Sequence, residues 1–169
     1  MDIIIPNELV HPVFYSQNTH VFLREEDLSH LASPHYFYYE LVYYSGEKYE
    51  DSFPWQDPKP YLKEMVDDWS TLQETISNQI KQGEKVLDNH MKKGISFLFM
   101  LVFWSNKTPV ILDNWQKHME SLEIKAFNLC ERVEFILLRP TSYHSFIQLG
   151  ELIKEQYKHA VKHFVIEKR

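Results

Sequence analysis

The stretch PYLKEMVDDWSTLQETISNQIKQG, residues 60–83, decides the fold. Its apolar residues Leu62, Met65, Val66, Trp69, Leu72, Ile76 and Ile80 recur at intervals of three and four, the signature of one buried helical face. Lys63, Glu64, Asp67, Gln73 and Glu74 supply the polar side. Pro60 suits a first helical turn, where its missing N–H is not needed, and Gly83 suits a helix end.

Working outward, ISFLFMLVFW (95–104) is apolar all round except at Ser96. A helix of that kind belongs at the centre of a fold, and it is too short to span a bilayer, which takes about 20 such residues. The helix is expected from about Val86 to Trp104. Two shorter helices are expected at about Val110 to Met119 and Phe127 to Leu138, with strand the competitor for the second. Pro140 separates these from a last helix, about Ser142 to Val165, striped by Phe146, Leu149, Ile153, Tyr157, Ala160, Val161 and Phe164. Thr141 or Ser142 can cap it by accepting backbone N–H bonds.

These elements predict a mostly α protein, a compact antiparallel bundle of about five to seven helices. Six of the eight prolines fall before residue 61 and break the front into short pieces. Residues 1–59 are therefore expected to form an irregular, aromatic-rich front and 60–169 the bundle core of a single domain covering 1–169. Within the front, Tyr36 to Tyr44 (YFYYELVYY) holds six aromatics in nine residues and is open to helix or strand, helix being favoured.

Composition sets further bounds. Residues 1–60 carry ten acidic against three basic side chains, whereas the remainder is close to neutral. Phosphate backbones are gripped by clustered Lys and Arg, so a broad nucleic-acid surface is not expected. Lys154, Lys158, Lys162, Lys168 and Arg169 could form a basic stripe on the last helix, but Glu151, Glu155 and Glu167 interrupt it. Cys130, the single cysteine, allows no internal disulfide and reads as a small buried hydrophobe in a reducing compartment. No basic segment followed by a long apolar run stands after Met1, so a cytoplasmic location is expected and a membrane role is not.

Several clusters invite a chemical reading. His159 and His163 are four apart on a helix and could share an ion, but the apolar stripe lies on another side and no third ligand is evident. Glu8 with His11 is the lone Glu-x-x-His, where a di-metal bundle needs two, so no metal and no cofactor are expected. The four glycines are isolated from one another and make no phosphate loop. Arg139-Pro140-Thr141-Ser142-Tyr143-His144-Ser145 is the densest polar cluster between two apolar helices. A helix start favours anions, so Arg139, Tyr143 and His144 form a candidate ligand site, with help from Trp104, Asn106 and Glu131. The structural alternative is capping by Thr141, Ser142 and Ser145. No catalytic residue is assigned.

The segments Phe103-Trp104-Ser105-Asn106 with Pro109-Val110, Glu131-Arg132-Val133-Glu134-Phe135, and Arg139-Pro140 followed by Tyr143-His144-Ser145-Phe146-Ile147-Gln148-Leu149 resemble the YpoC-like family. Ile5-Pro6, His11 and Pro54-Trp55 extend the resemblance more loosely. It implies a small cytosolic protein of Gram-positive bacteria and transfers no catalytic residue. Two functions compete. One is a non-enzymatic interaction or adaptor protein that meets another protein through its aromatic front. The other is a small-molecule or anion-binding protein, enzymatic or not, with its site at the start of the last helix.

Overall fold

The computed structural model describes residues 1–28, 33–84 and 88–167. The expected helix start at Val86 and the terminal pair Lys168 and Arg169 of the basic stripe lie outside the described residues. Among those described there are six α-helices: α1 (Tyr38–Ser45), α2 (Lys59–Lys81), α3 (Asp88–Ser105), α4 (Trp115–Glu120), α5 (Leu129–Leu138) and α6 (Tyr143–Glu167). The fold is mostly α, and the ambiguous stretches at Tyr36 to Tyr44 and Phe127 to Leu138 are helical from Tyr38 and from Leu129 onwards.

The period read in residues 60–83 is the one α2 buries, through Leu62, Met65, Trp69, Leu72 and Ile76. Helix α3 is buried continuously from Gly94 to Ser105 and packs against both α2 and α6, which explains why it is apolar on every side. Chain neighbours α2 and α3 are antiparallel, with Gln79 beside His90 near their junction. Helices α5 and α6 are also antiparallel, with Arg132 reaching Glu155. Helices α3 and α6 run in the same sense, because Gly94 faces Leu149 while Lys107 faces Glu167. The intervening connection through α4 carries the chain back so that this parallel pairing can form.

Helix α4 is shorter than its apolar residues suggest. The N–H of Val110 donates to Glu40 Oε2 (3.0 Å), and those of Leu112 and Asp113 donate to the carbonyl of Glu8 (2.7 and 3.3 Å). These donors are committed elsewhere, so Val110 to Asn114 stays outside the helix.

The front is more regular than its prolines indicate. Strands β1 (Asp2–Ile4) and β2 (His20–Phe22) pair antiparallel in the register Asp2 to Phe22, Ile3 to Val21 and Ile4 to His20. Ile3, Ile5, Leu9 and Leu23 belong to the same buried cluster as α3 and α6, and one apolar core extends from Ile3 to Phe164. Prolines 6 and 12 lie in the connection between the strands, where no ladder N–H is required.

Candidate functional site

A cavity of about 540 Å³ lies between α2, α3 and the turn at Ser33 to Tyr36. Helix α2 contributes Thr71, Leu72 and Thr75, a spacing of one and four that puts all three on one face. Helix α3 contributes Asn89, His90 and Lys93 from its first turns, before it becomes wholly apolar. The turn supplies Ser33, Pro34 and Tyr36.

Lys93 is the chemical centre of this cavity. Its Nζ donates to the carbonyls of Ser33 (3.0 Å) and His35 (3.1 Å) and stands 5.0 Å from the centre of the Tyr36 ring. No carboxylate is in ion-pair contact with it among the described residues. Burial without a compensating anion disfavours the ammonium form and pulls the pKa down to about 8.

The turn that receives Lys93 is held from several sides. Tyr15 Oη donates to the Tyr36 carbonyl (2.9 Å) and accepts from the Tyr36 N–H (2.8 Å). The His35 ring meets the Phe22 carbonyl at 2.9 Å, tying the turn to β2. Immediately beyond, Phe37 is buried at φ 58°, a left-handed conformation costing a bulky side chain on the order of 1–3 kcal/mol. That strained residue reverses the chain between the cavity wall and α1.

A second buried group lies below α1. Glu40 is fully buried, and its Oε2 accepts from Trp104 Nε1 (2.7 Å) and the Val110 N–H (3.0 Å). Its Oε1 has no hydrogen-bond partner among the described residues. Burial outweighs the two donors and raises its pKa to about 7. Around Glu40 and Trp104 the rings of Tyr39, Trp55 and Tyr61 form a contiguous aromatic cluster.

Of the six residues singled out from sequence, Arg139, Tyr143 and His144 stay together, and Trp104, Asn106 and Glu131 lie elsewhere. Arg139 and His144 line a small apolar hollow of about 250 Å³ with Phe135, Leu138 and Ser142. Tyr143 is exposed beside His144. Ser142 Oγ accepts from the Ser145 N–H (3.1 Å), so this helix start carries a side-chain cap. Trp104 is buried against Glu40, remote in role from the surface hollow. Asn106 clamps the backbone of Ile124, donating to its carbonyl (2.9 Å) and accepting from its N–H (2.8 Å), and also donates to the Val102 carbonyl (2.8 Å). Glu131 borders a different hollow with Glu120, Lys125 and Asn128. His159 is exposed, and His163 contacts Glu167 at 3.2 Å.

Sequence reading passed over Lys93 and Glu40. The available signals were a lysine opening an otherwise apolar helix, and the lone charge within an aromatic run. The turn at residues 33–36 that completes the cavity has no sequence motif.

No solved structure matches this chain. A curated relative, "Uncharacterized protein YpoC" of Bacillus subtilis (strain 168), is 36% identical over 121 residues, covering 70% of this chain and 74% of that protein. The sequence model of the YpoC-like protein family matches residues 59–168, which include α2, α3 and Lys93. The chain belongs to the YpoC-like protein family.

Proposed function

We propose that this protein binds a small anionic ligand in the cavity between α2 and α3, with Lys93 as the cationic contact. The observation that carries the reading is a half-buried lysine without a carboxylate partner among the described residues, bordering a cavity of about 540 Å³ that also presents Thr71, Thr75, Asn89 and His90. Ligand cavities commonly fall between about 300 and 1,000 Å³ and hold a few polar groups that fix orientation. An anion beside Lys93 compensates the cost of burying its charge, so binding and charge burial favour one another. The Thr71 and Thr75 hydroxyls donate within α2, to the carbonyls of Asp67 and Thr71, which leaves their oxygens as acceptors for the rest of the ligand.

The test is a thermal-shift and calorimetric screen of small anions, beginning with inorganic phosphate and simple carboxylates, on the wild type and on Lys93→Met. A stabilisation present in the wild type and lost in the variant supports the reading. Equal shifts in both, or none in either across the series, refute it.

A second reading, an interaction protein, is favoured by a different observation. Phe135, Leu138, Tyr143 and Ile147 are exposed where α5 turns into α6, with Leu138 81% accessible. Clustered apolar exposure of this kind is the usual mark of a protein-binding surface. The aromatic front is a weaker candidate, because Phe37 and Tyr39 are buried and Tyr44 donates to the Val110 carbonyl (2.9 Å). Affinity capture with the wild type and with Leu138→Asp tests this: a partner lost only in the variant supports it. A cytoplasmic location belongs to both readings, and no described helix is long and apolar enough to cross a membrane.

A further inference from the structure

We infer that the groove between the start of α2 and the end of α6 binds a single-chain anionic amphiphile, an alkyl carboxylate whose chain lies in the groove and whose head group meets the lysines at its rim. This site is separate from the α2–α3 cavity and does not depend on the ligand reading above.

The groove has a volume of about 420 Å³, within the range of small-molecule sites. Helix α6 lines it with Tyr157, Val161, Phe164 and Val165, and α2 lines it with Lys59, Pro60 and Lys63. Apart from the two lysines and the tyrosine hydroxyl, these side chains present hydrocarbon. Phe164 is buried, whereas Val161 and Val165 stay 39% and 51% accessible. Covering that surface with an alkyl chain removes apolar area from water on both partners. A groove takes a chain between its walls, which favours one bound molecule over the flat face of a bilayer.

Charge completes the match. Lys158, Val161, Lys162 and Val165 follow the i, i+3, i+4, i+7 spacing, so two lysines share the stripe of α6 that carries the valines of the groove. Both lysines are exposed, and neither pairs with a carboxylate among the described residues. On the facing wall Lys63 bonds Asp67 at 2.7 Å in an exposed pair, which occupies one of its three ammonium donors. No carboxylate lines the groove, and residues 156–166 contain none. The rim is therefore cationic on both sides of an apolar interior, and one anionic head with a hydrocarbon tail satisfies both parts.

Decanoate, held below its micelle concentration, is the probe, titrated by calorimetry into the folded full-length chain beside hexanoate and octanoate. Each added CH₂ should tighten binding about two- to fourfold, the upper figure corresponding to full burial at about 0.8 kcal/mol. On adding decanoate, backbone amide shifts by NMR should centre on Tyr157, Val161 and Val165. The double change Lys158→Glu with Lys162→Glu, at exposed positions, should leave the melting temperature within a few degrees and weaken decanoate at least about tenfold. Decyltrimethylammonium, its cationic counterpart, should bind that variant more tightly than the wild type. Val161→Asp, which sets a carboxylate in the groove itself, should abolish decanoate binding. Affinity independent of chain length, binding unchanged in both variants, or shifts centred on Leu138 or Lys93 overturns the inference. So does binding to phosphatidylglycerol vesicles with none to monomeric decanoate, which makes the face a membrane contact, and so does binding to neither.

Discussion

Gly94 of α3 lies directly against the indole of Trp69 of α2: a Cβ built at position 94 would stand 2.6 Å from Trp69 Cζ3 and 3.0 Å from Leu149 Cδ2. Three helices thus converge on one hydrogen atom.

Gly94→Ala should therefore destabilise the protein, although alanine favours helix by about 1 kcal/mol. Overpacking a rigid core costs about 1–3 kcal/mol, and the indole is itself buried. Urea unfolding should show a net loss, and pairing the change with Trp69→Phe should recover part of it. A gain in stability would mean the contact is looser than the geometry states.

Asn106→Ala should be among the costlier polar substitutions. It removes three hydrogen bonds and leaves the Ile124 N–H without its side-chain acceptor. A loss of about 2–4 kcal/mol is expected from the unsatisfied groups. Gln156→Leu should behave similarly, because Gln156 holds the Ala126 N–H (2.8 Å) and the Ile124 carbonyl (2.9 Å) of the same connection. Both are read by denaturant midpoints.

Glu40 gives a pH dependence of defined sign. Its folded pKa of about 7 lies above the ordinary value of 4.5, so the native state binds more protons between those values. Stability is then highest below about pH 4.5 as far as this group is concerned, and is lost as pH rises through 7. Glu40→Gln, which keeps the acceptor oxygen, should flatten the decline between pH 5 and 8. Unfolding curves at a series of pH values, followed by tryptophan fluorescence, check it.

Lys93 acts in the opposite sense at higher pH. Its folded pKa of about 8 lies below the ordinary 10.5, so the unfolded chain binds more protons in that interval. Stability should rise as pH moves from 8 towards 10.5, and Lys93→Met should abolish the rise. A bound anion favours the ammonium form, so anion-dependent stabilisation should fade above pH 8. Together the two groups place a shallow stability minimum near pH 7–8.

The long amphipathic helices were legible because they expose their period in the sequence, most clearly α2 at Leu62, Met65, Trp69, Leu72 and Ile76, whereas α1 and α5 were open to strand. The boundaries that failed were set by distant partners: no local pattern at Val110 to Asn114 reveals that Glu8 and Glu40 hold its N–H groups. The pairing of β1 with β2 was hidden for the same reason, since three-residue strands carry too few residues to show a period. Grouping Trp104, Asn106, Arg139 and His144 as one site followed nearness to helix ends, and the folded chain sends Trp104 inward and Arg139 outward. Lys93 becomes conspicuous only when residues 33–36 arrive from elsewhere in the chain.

The same-sense pairing of α3 with α6 has a consequence during synthesis. The greasiest segment of the chain emerges some 40 residues before the helix that shields it begins. Until then it has α2, the front and the short α4, whose Trp115 packs on Phe99, to lean on, and the flank that α6 covers is available to other nascent chains. Release of the last helix from the ribosome should thus be the moment when solubility is secured, and shortened translation products ending before Tyr143 should collect in the insoluble fraction.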